Sequence, residues 1–379
     1  MKDNDKKTMQ FPILRFKEFL GEWDIESLNY IAPNISSGKS QFCENGNYNL
    51  YGSTGIIGRC CNIDYNGEML LIARVGANAG SIQIINDSCG ITDNTLIIKS
   101  KDVFGHNTHK YLYYYLKTLN INKLAFGSGQ PLITGTMLKK LNISFGVSAE
   151  IDKITTFLSL IDERIQTQIK IIEDLRLLKS VLLKKAFFQE LRFPQFNENW
   201  KTIRLGDIGT FFSGGTPLTS MEWYYNGDIP FIKSGEINAD CTEQFISEEG
   251  LKNSSAKMIE IGDLIYALYG ATSGEVEISK IKGAINQAVL CIRTILNNIF
   301  LLNYLTFKKD EILRTYLQGG QGNLSAEIIK SLRVPMPINA EQTKLAYLFS
   351  AFDKKVELEI NIMEKLKQQK QYFLANLFI

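Results

Sequence analysis

Histidine is almost missing from this chain: among 379 residues there are two, His106 and His109. No third histidine exists and no cysteine lies near the pair in sequence, so histidine-based catalytic triads and histidine-rich metal sites lack material. The i, i+3 spacing reads instead as a polar face at a helix start. Neither sign of charge is in excess. Lys plus Arg (42) against Asp plus Glu (40) leaves +2, and any nucleic-acid surface must be a local patch on a nearly neutral chain. No apolar run approaches the ~20 residues needed to span a bilayer. The opening MKDNDKKTMQ has no apolar export stretch, so the expected location is cytoplasmic, without a membrane partner. The six cysteines (Cys43, Cys60, Cys61, Cys89, Cys241 and Cys291) form no C-x-x-C pair and are expected as reduced thiols, buried or incidental. What remains is ordinary: 45% hydrophobic and 22% charged residues exclude wholesale disorder. The length suits two domains of roughly 150 residues plus connectors.

The informative feature is an internal duplication. LRFKEFLGEW (14–23) recurs as LRFPQFNENW (191–200), and the same offset of 177 carries Leu28 onto Leu205, Ile31 onto Ile208 and Gly38 onto Gly215. Further on the offset is 194: LLIARVGANAG (70–80) lies over LIYALYGATSG (264–274), with Gly76 on Gly270 and Gly80 on Gly274. It settles at 191, placing Gly129-Gln130 on Gly320-Gln321, Leu141 on Leu332 and Glu150 on Glu341. A drifting offset with conserved block order is what insertions and deletions leave inside a duplicated unit.

Each copy has two parts. The first, residues 23–147 and 200–338, is rich in Gly, Asn, Ser, Thr and aromatics. Its β-like runs are residues 69–75, 95–99, 263–268 and 289–293, with helices expected over 109–119 and 299–317. The second part is a long helix whose apolar residues alternate at spacings of four and three, the coiled-coil pattern. The first seam runs Ile154, Leu158, Ile161, Ile165, Gln168, Ile172, Leu175, Lys179, Leu182, Ala186. The second runs Leu345, Phe349, Phe352, Val356, Glu359, Met363, Leu366, Lys370, Phe373, Leu377. Parallel pairing would set Lys179 against Lys370. Antiparallel pairing sets Lys179 against Glu359 and Gln168 against Lys370, with Ile165 on Phe373, Ile172 on Leu366, Leu175 on Met363 and Leu182 on Val356. An unpaired buried charge costs several kcal/mol, so the antiparallel arrangement is expected. The fold class is therefore α+β: two homologous globular domains joined by two long helices in an antiparallel coiled coil about a pseudo-twofold. The domains are expected at 1–149, 150–190 (first helix), 191–339 and 340–379 (second helix). A helix of residues 154–186 would be about 50 Å long at ~1.5 Å per residue, against ~34 Å between DNA half-sites one turn apart. A ruler of that size suits a split DNA target.

These features resemble the specificity (S) subunit of type I restriction-modification systems. The resemblance rests on the paired LRF…W openings, the W-x-x-x-x-L-x-x-I stretches from Trp23 and Trp200, and the late G-Q blocks. The helix openings SAEIDKITTFLSLIDERI and NAEQTKLAYLFSAFDKKV also contribute; here Ile151 stands where the second copy has Gln342. It covers essentially the whole chain. It implies two target-recognition domains, each reading half of a bipartite double-stranded DNA sequence, with helices that fix the spacer. It also implies two methyltransferase (M) subunits and restriction (R) subunits as partners, and no catalysis by the chain itself. S-adenosylmethionine and ATP are then expected on the partners, with no cofactor or metal here. The residues agree: no N/D-P-P-Y/F motif is present, and no G-x-G loop is placed for S-adenosylmethionine.

Direct readout needs polar side chains on loops that reach base edges, and phosphate contacts need cations, hydroxyls and bare amides. In the first copy the candidates are Lys39, Tyr51, Ser53, Thr54, Arg59, Arg74, Asn78 and Gln130. In the second they are Ser213, Thr216, Lys233, Ser234, Tyr266, Tyr269, Thr272, Gln321 and Asn323. Each has a plainer reading: a turn, an ion pair within the fold, or, for Tyr266 and Tyr269, the core. Candidates for M-subunit docking are Arg164, Lys170, Arg176 and Lys184, whose plainer reading is a solvated helix face. Two other classes stay open: a two-headed non-catalytic adaptor for protein or glycan partners, and an enzyme, an ATPase or nuclease using the Lys39 loop. The stretch PNISSGKS (33–40) ends like a P-loop, but Pro33 stands where the first glycine belongs, and the second copy lacks the lysine.

Overall fold

The computed structural model describes residues 11–101, 103, 105–124, 131–316 and 323–379. It divides into two compact units: one runs up to Ile169 and takes in Asn361–Ile379, the other is Lys170–Ile360. These units cut across the linear division expected from the sequence, because each unit holds one end of each long helix.

In unit 1 a six-stranded sheet has the order Asn34–Ser37, Thr95–Lys99, Tyr65–Ala73, Ile82–Ile91, Tyr48–Gly52, Gly55–Cys60. Met69 to Ala73 and Thr95 to Ile98 are buried throughout, as strands covered on both faces must be. On one face Leu70, Ile72, Leu96 and Ile98 pack against Tyr111, Leu112 and Tyr115 of helix Thr108–Thr118. The other face holds Met69, Leu71, Ile97, Cys89 and Ile91. His109 on that helix meets Ser100 Oγ at 3.2 Å and Glu68 at 3.6 Å, so its ring is tied to two interior strands of the sheet.

Unit 2 carries the same strands in two pieces. One sheet has the order Gly209–Ser213, Val289–Thr294, Leu264–Ala267, Val276–Ile278; the other has Phe245–Ile246, Ile229–Ile232, Gly283–Ile285, Lys257–Ile259. The register identifies the correspondence. Leu70 to Ala73 pair antiparallel with Ile98 to Thr95, and Leu264 to Ala267 pair identically with Ile292 to Val289. Leu50 lies parallel to Gly90, as Phe231 does to Ala284. The long hairpin of unit 1 is broken in unit 2 at residues 260–263 and 279–282. One offset needs correcting: Ser37 faces Leu96 and Ser213 faces Leu290, so Gly38 corresponds to Gly214 rather than Gly215.

Both long helices are continuous, Ser148–Phe187 and Asn339–Asn376. Within unit 1 the start of the first packs on the end of the second: Phe157 meets Phe373 at 4.8 Å, and Leu377 and Phe378 share a core with Ile151, Ile154 and Leu158. Within unit 2 the ends exchange roles, with Phe187 against Phe349, Phe300 and Tyr304. The helices are antiparallel in each unit, and every residue of the two seams is buried or half-buried.

The register of that pairing differs from expectation. Lys179 Nζ meets Asp353 at 2.6 Å and Lys370 meets Asp162, not Glu359 and Gln168. Phe373 lies on Phe157, not Ile165. Asp162 and Asp353 occupy equivalent positions just outside the seam, where a long lysine side chain reaches over the apolar row while its ammonium stays partly hydrated. Glu359 is instead held by Lys355 on its own helix, at 2.5 Å. The thiol expectation also changes. Cys43 and Cys61 form a disulfide, while Cys60, Cys89, Cys241 and Cys291 are free. The Cys43 N–H bonds to Arg59 O (2.9 Å), which brings the two Cα atoms to 5.7 Å, within bridging range.

Candidate nucleic-acid interface

The candidate loops are held by a frame that occurs twice. Glu150 and Glu341, in the first turns of the long helices, are almost fully buried. Arg15 grips Glu150 with two parallel bonds (Nε–Oε1 2.6 Å, Nη2–Oε2 2.8 Å), and Trp23 Nε1 donates to Oε2 at 3.1 Å. Arg192 and Trp200 do the same to Glu341 at 3.0, 2.9 and 2.9 Å. The arginines also bond the equivalent carbonyls of Gly21 and Glu198. A buried carboxylate satisfied by a forked guanidinium and an indole is a strong, geometrically specific contact. The frame continues in the strand pairs Asp24–Ser27 with Asn142–Phe145 and Lys201–Arg204 with Arg333–Met336, in matching register. Two short helices share a cap: Thr134 Oγ1 accepts from Met137 N–H, and Ser325 Oγ from Ile328 N–H.

On this frame sits one loop in two versions, residues 73–81 and 267–275. Ala73 N–H bonds Ser81 O as Ala267 N–H bonds Glu275 O, both at 2.9 Å. Gly76 and Gly270 take φ of 80° and 93°, which a side chain would strain. Ile133 N–H donates to Arg74 O and Leu324 N–H to Leu268 O, both at 2.9 Å. Those bonds bring the segment after each late glycine-rich stretch to the loop. Gln130 and Gln321 lie outside the described residues. Asn323 is described and exposed.

The two loops carry different surfaces. In unit 1, Ser53, Thr54 and Asn78 converge on one open depression of about 300 Å³, which Ser81 and Gln83 also line. Lys39 and Arg59 are exposed, and Arg59 Nη1 bonds Asn49 Oδ1 at 2.9 Å. Tyr51 does not point at that depression. Its hydroxyl donates to Asp87 at 3.0 Å, and burial, with Asp87 beside it, pushes its pKa up to about 12. Arg74 is half-buried and lines a second depression, with Nη1 3.4 Å from Asp93 O.

In unit 2, exposed Gln287 ties two candidates together. Its Oε1 accepts from Thr216 Oγ1 at 2.6 Å, and its side chain lies beside the Tyr269 hydroxyl. Thr272 Oγ1 donates to Ser234 O at 2.9 Å, next to exposed Lys233. Thr272 is the counterpart of Asn78, half-buried where Asn78 is exposed. Ser213 is half-buried at its strand end. Tyr266 is not available: it is fully buried with Leu264 and Leu268, because alternation along strand Leu264–Ala267 turns all three to the core. Gln83 and Gln287 escaped the sequence reading. Their only signal was position; ITDNTLIIK (91–99) lies over INQAVLCIR (285–293), which sets Gln287 opposite Asp93.

Among the described residues no group of three or more His, Cys, Asp or Glu is arranged to hold a metal, and no helix is long and apolar enough to cross a membrane. The two copies match a family model twice, over residues 25–176 and 197–368, described as the type I restriction modification DNA specificity domain. The EcoR124I/EcoR124II type I restriction enzyme specificity subunit of Escherichia coli is 26% identical over 292 residues, 69% of this chain and 68% of that protein. The putative type I restriction enzyme MjaX specificity subunit of Methanocaldococcus jannaschii is 25% identical over 279 residues, 69% of this chain and 64% of its own length. In fold the chain is similar to the S subunit of a type I restriction-modification system from M. genitalium (TM-score 0.64, 20% identity, 97% of this chain and 99% of that one). It is also similar to a chain from a type I R-M structure on complex assembly and conformational transition (TM-score 0.62, 15% identity, 96% and 99%). With the family model matched across most of both copies of one frame, the chain belongs to the type I restriction-modification DNA specificity family.

Proposed function

We propose that each unit reads one half of a bipartite double-stranded DNA target, and that the chain delivers this address to methyltransferase and restriction subunits without performing catalysis. The observation that carries the reading is the contrast within the duplication. The frame repeats donor for donor, whereas the loop surfaces differ: Ser53, Thr54, Asn78 and Gln83 in one unit, Thr216, Gln287, Tyr269 and Thr272 in the other. Hydroxyls and amides on glycine-bearing loops suit base edges and phosphates. Two unlike surfaces suit two unlike half-sites. The long helices, each lending one end to each unit, act as the spacer and offer outward faces to two M subunits. Ile171 and Ile362 are exposed at equivalent positions there, with Arg164, Lys170, Arg176 and Lys184 as flanking cations. S-adenosylmethionine and ATP belong to the partner subunits.

The test is an electrophoretic shift of the full chain on a duplex pool, with and without M subunits, across a salt series. The expected result is a DNA complex whose affinity falls steeply as salt rises. No complex under any condition, or one insensitive to salt, contradicts the reading and favours a protein or glycan adaptor.

A further inference from the structure

The duplication supplies an internal control for one residue. Arg74 and Leu268 occupy the same place in the same loop, and the backbone around them is alike: Arg74 O and Leu268 O each accept one N–H at 2.9 Å. The loop therefore forms without a guanidinium. In unit 1 Arg74 lines a depression of about 250 Å³ together with Ser36, Ser37, Thr134, Thr136 and Lys139, and none of the nine lining residues is acidic. Arg74 Nε is buried and has no hydrogen-bond partner among the described residues. Its Nη1 meets Asp93 O in a long bond of 3.4 Å, so the fold leaves most of the guanidinium's donor capacity unused.

The counterpart in unit 2 has lost this character at several positions. Strand pairing sets Phe212 where Ser36 stands, Glu327 replaces Thr136, and Lys330, the counterpart of Lys139, is neutralised by Glu327 at 2.7 Å. Two cations with hydroxyls and no carboxylate are the chemistry of a phosphate seat.

We infer that the Arg74–Lys139 depression of unit 1 seats one phosphate group, that of the DNA backbone when duplex is bound, and that unit 2 has no equivalent seat. This rests on the DNA reading above and adds an asymmetry: unit 1 is anchored to the backbone at a point where unit 2 is not. The test uses Arg74→Leu, the residue the second copy already accommodates, in the full chain with M subunits. Neutralising one phosphate contributes about 0.9 to the slope of log affinity against log salt. The variant should therefore lose about one unit of slope while keeping the same preferred half-site sequence. In parallel, inorganic phosphate titrated into the chain without DNA should shift the backbone amide resonances of Thr136 and Lys139, which line the depression, in the wild type and not in the variant.

An unchanged slope together with no phosphate response overturns the seat. Relaxed specificity at one base position with the slope kept also overturns it, assigning Arg74 to base reading. Phosphate binding by the wild type with no shift in the DNA slope means a seat for the free ion and overturns the backbone anchor. If the wild type binds no DNA at all, the bipartite reading fails while the phosphate titration still decides the seat.

Discussion

At the loop after the central strand, unit 1 has Arg74 and unit 2 has Leu268, yet the backbone hydrogen bonds on either side are the same. At the helix starts the reverse holds: Arg15, Trp23 and Glu150 are repeated as Arg192, Trp200 and Glu341 with almost the same distances. Both positions belong to a duplicated frame, and they diverged differently because they answer to different constraints. A buried carboxylate cannot lose its partners without a large penalty, so the whole trio persists. A loop that closes its own backbone hydrogen bonds does not depend on this side chain, so it accommodates half-buried Arg74 in one unit and buried Leu268 in the other.

The largest break in this comparison should come from the trio. Glu150→Ala strands a part-buried guanidinium and an indole N–H, and should destabilise unit 1 by about 3–5 kcal/mol. Glu341→Ala should do the same to unit 2, measured as two separate shifts in denaturant unfolding followed by tryptophan fluorescence. A substitution costing under about 1 kcal/mol in either copy would mean the contact is ornamental there.

A smaller difference separates the units in acid. Asp87 holds Asn49, Tyr51 and the Ser88 N–H at 2.8, 3.0 and 2.8 Å, and these bonds, Asn49 first, lower its pKa. Its counterpart in unit 2 is Ile281, so this knot belongs to unit 1. A carboxylate whose folded pKa is depressed adds stability above its unfolded pKa and loses it as pH falls through the folded value. The advantage of wild type over Asp87→Asn in urea unfolding should thus be present at pH 6 and shrink below about pH 4. An advantage that persists unchanged to pH 2 contradicts the charge account.

Much of the fold was legible because duplication writes the same pattern twice. The strand and helix spans and the loop glycines follow from aligned blocks, whereas the antiparallel sense was reached through Lys179–Glu359 and Gln168–Lys370 pairs that the structure replaces. The helix register was not legible, since the lysine partners Asp162 and Asp353 sit off the apolar seam, where a seam-only argument does not look. Tyr266 was misplaced because an aromatic at a strand end suits both a binding surface and a core, and only the pairing register decides which way it points. Arg15 and Glu150 lie 135 positions apart, too far for periodicity to join, and the Cys43–Cys61 bond carries no spacing signature. Gln287 lay hidden for a related reason: its importance comes from Thr216 and Tyr269, which only the folded chain brings to it.

The central claim is that the surface of each unit addresses half of one DNA site. The direct measurement is single-molecule methylation mapping in cells carrying the chain with its partner subunits, comparing wild type with a chain whose residues 200–335 come from another member of the family. The account predicts that one half of the methylated sequence changes while the other half stays as it was. A change in both halves, or in neither, contradicts it.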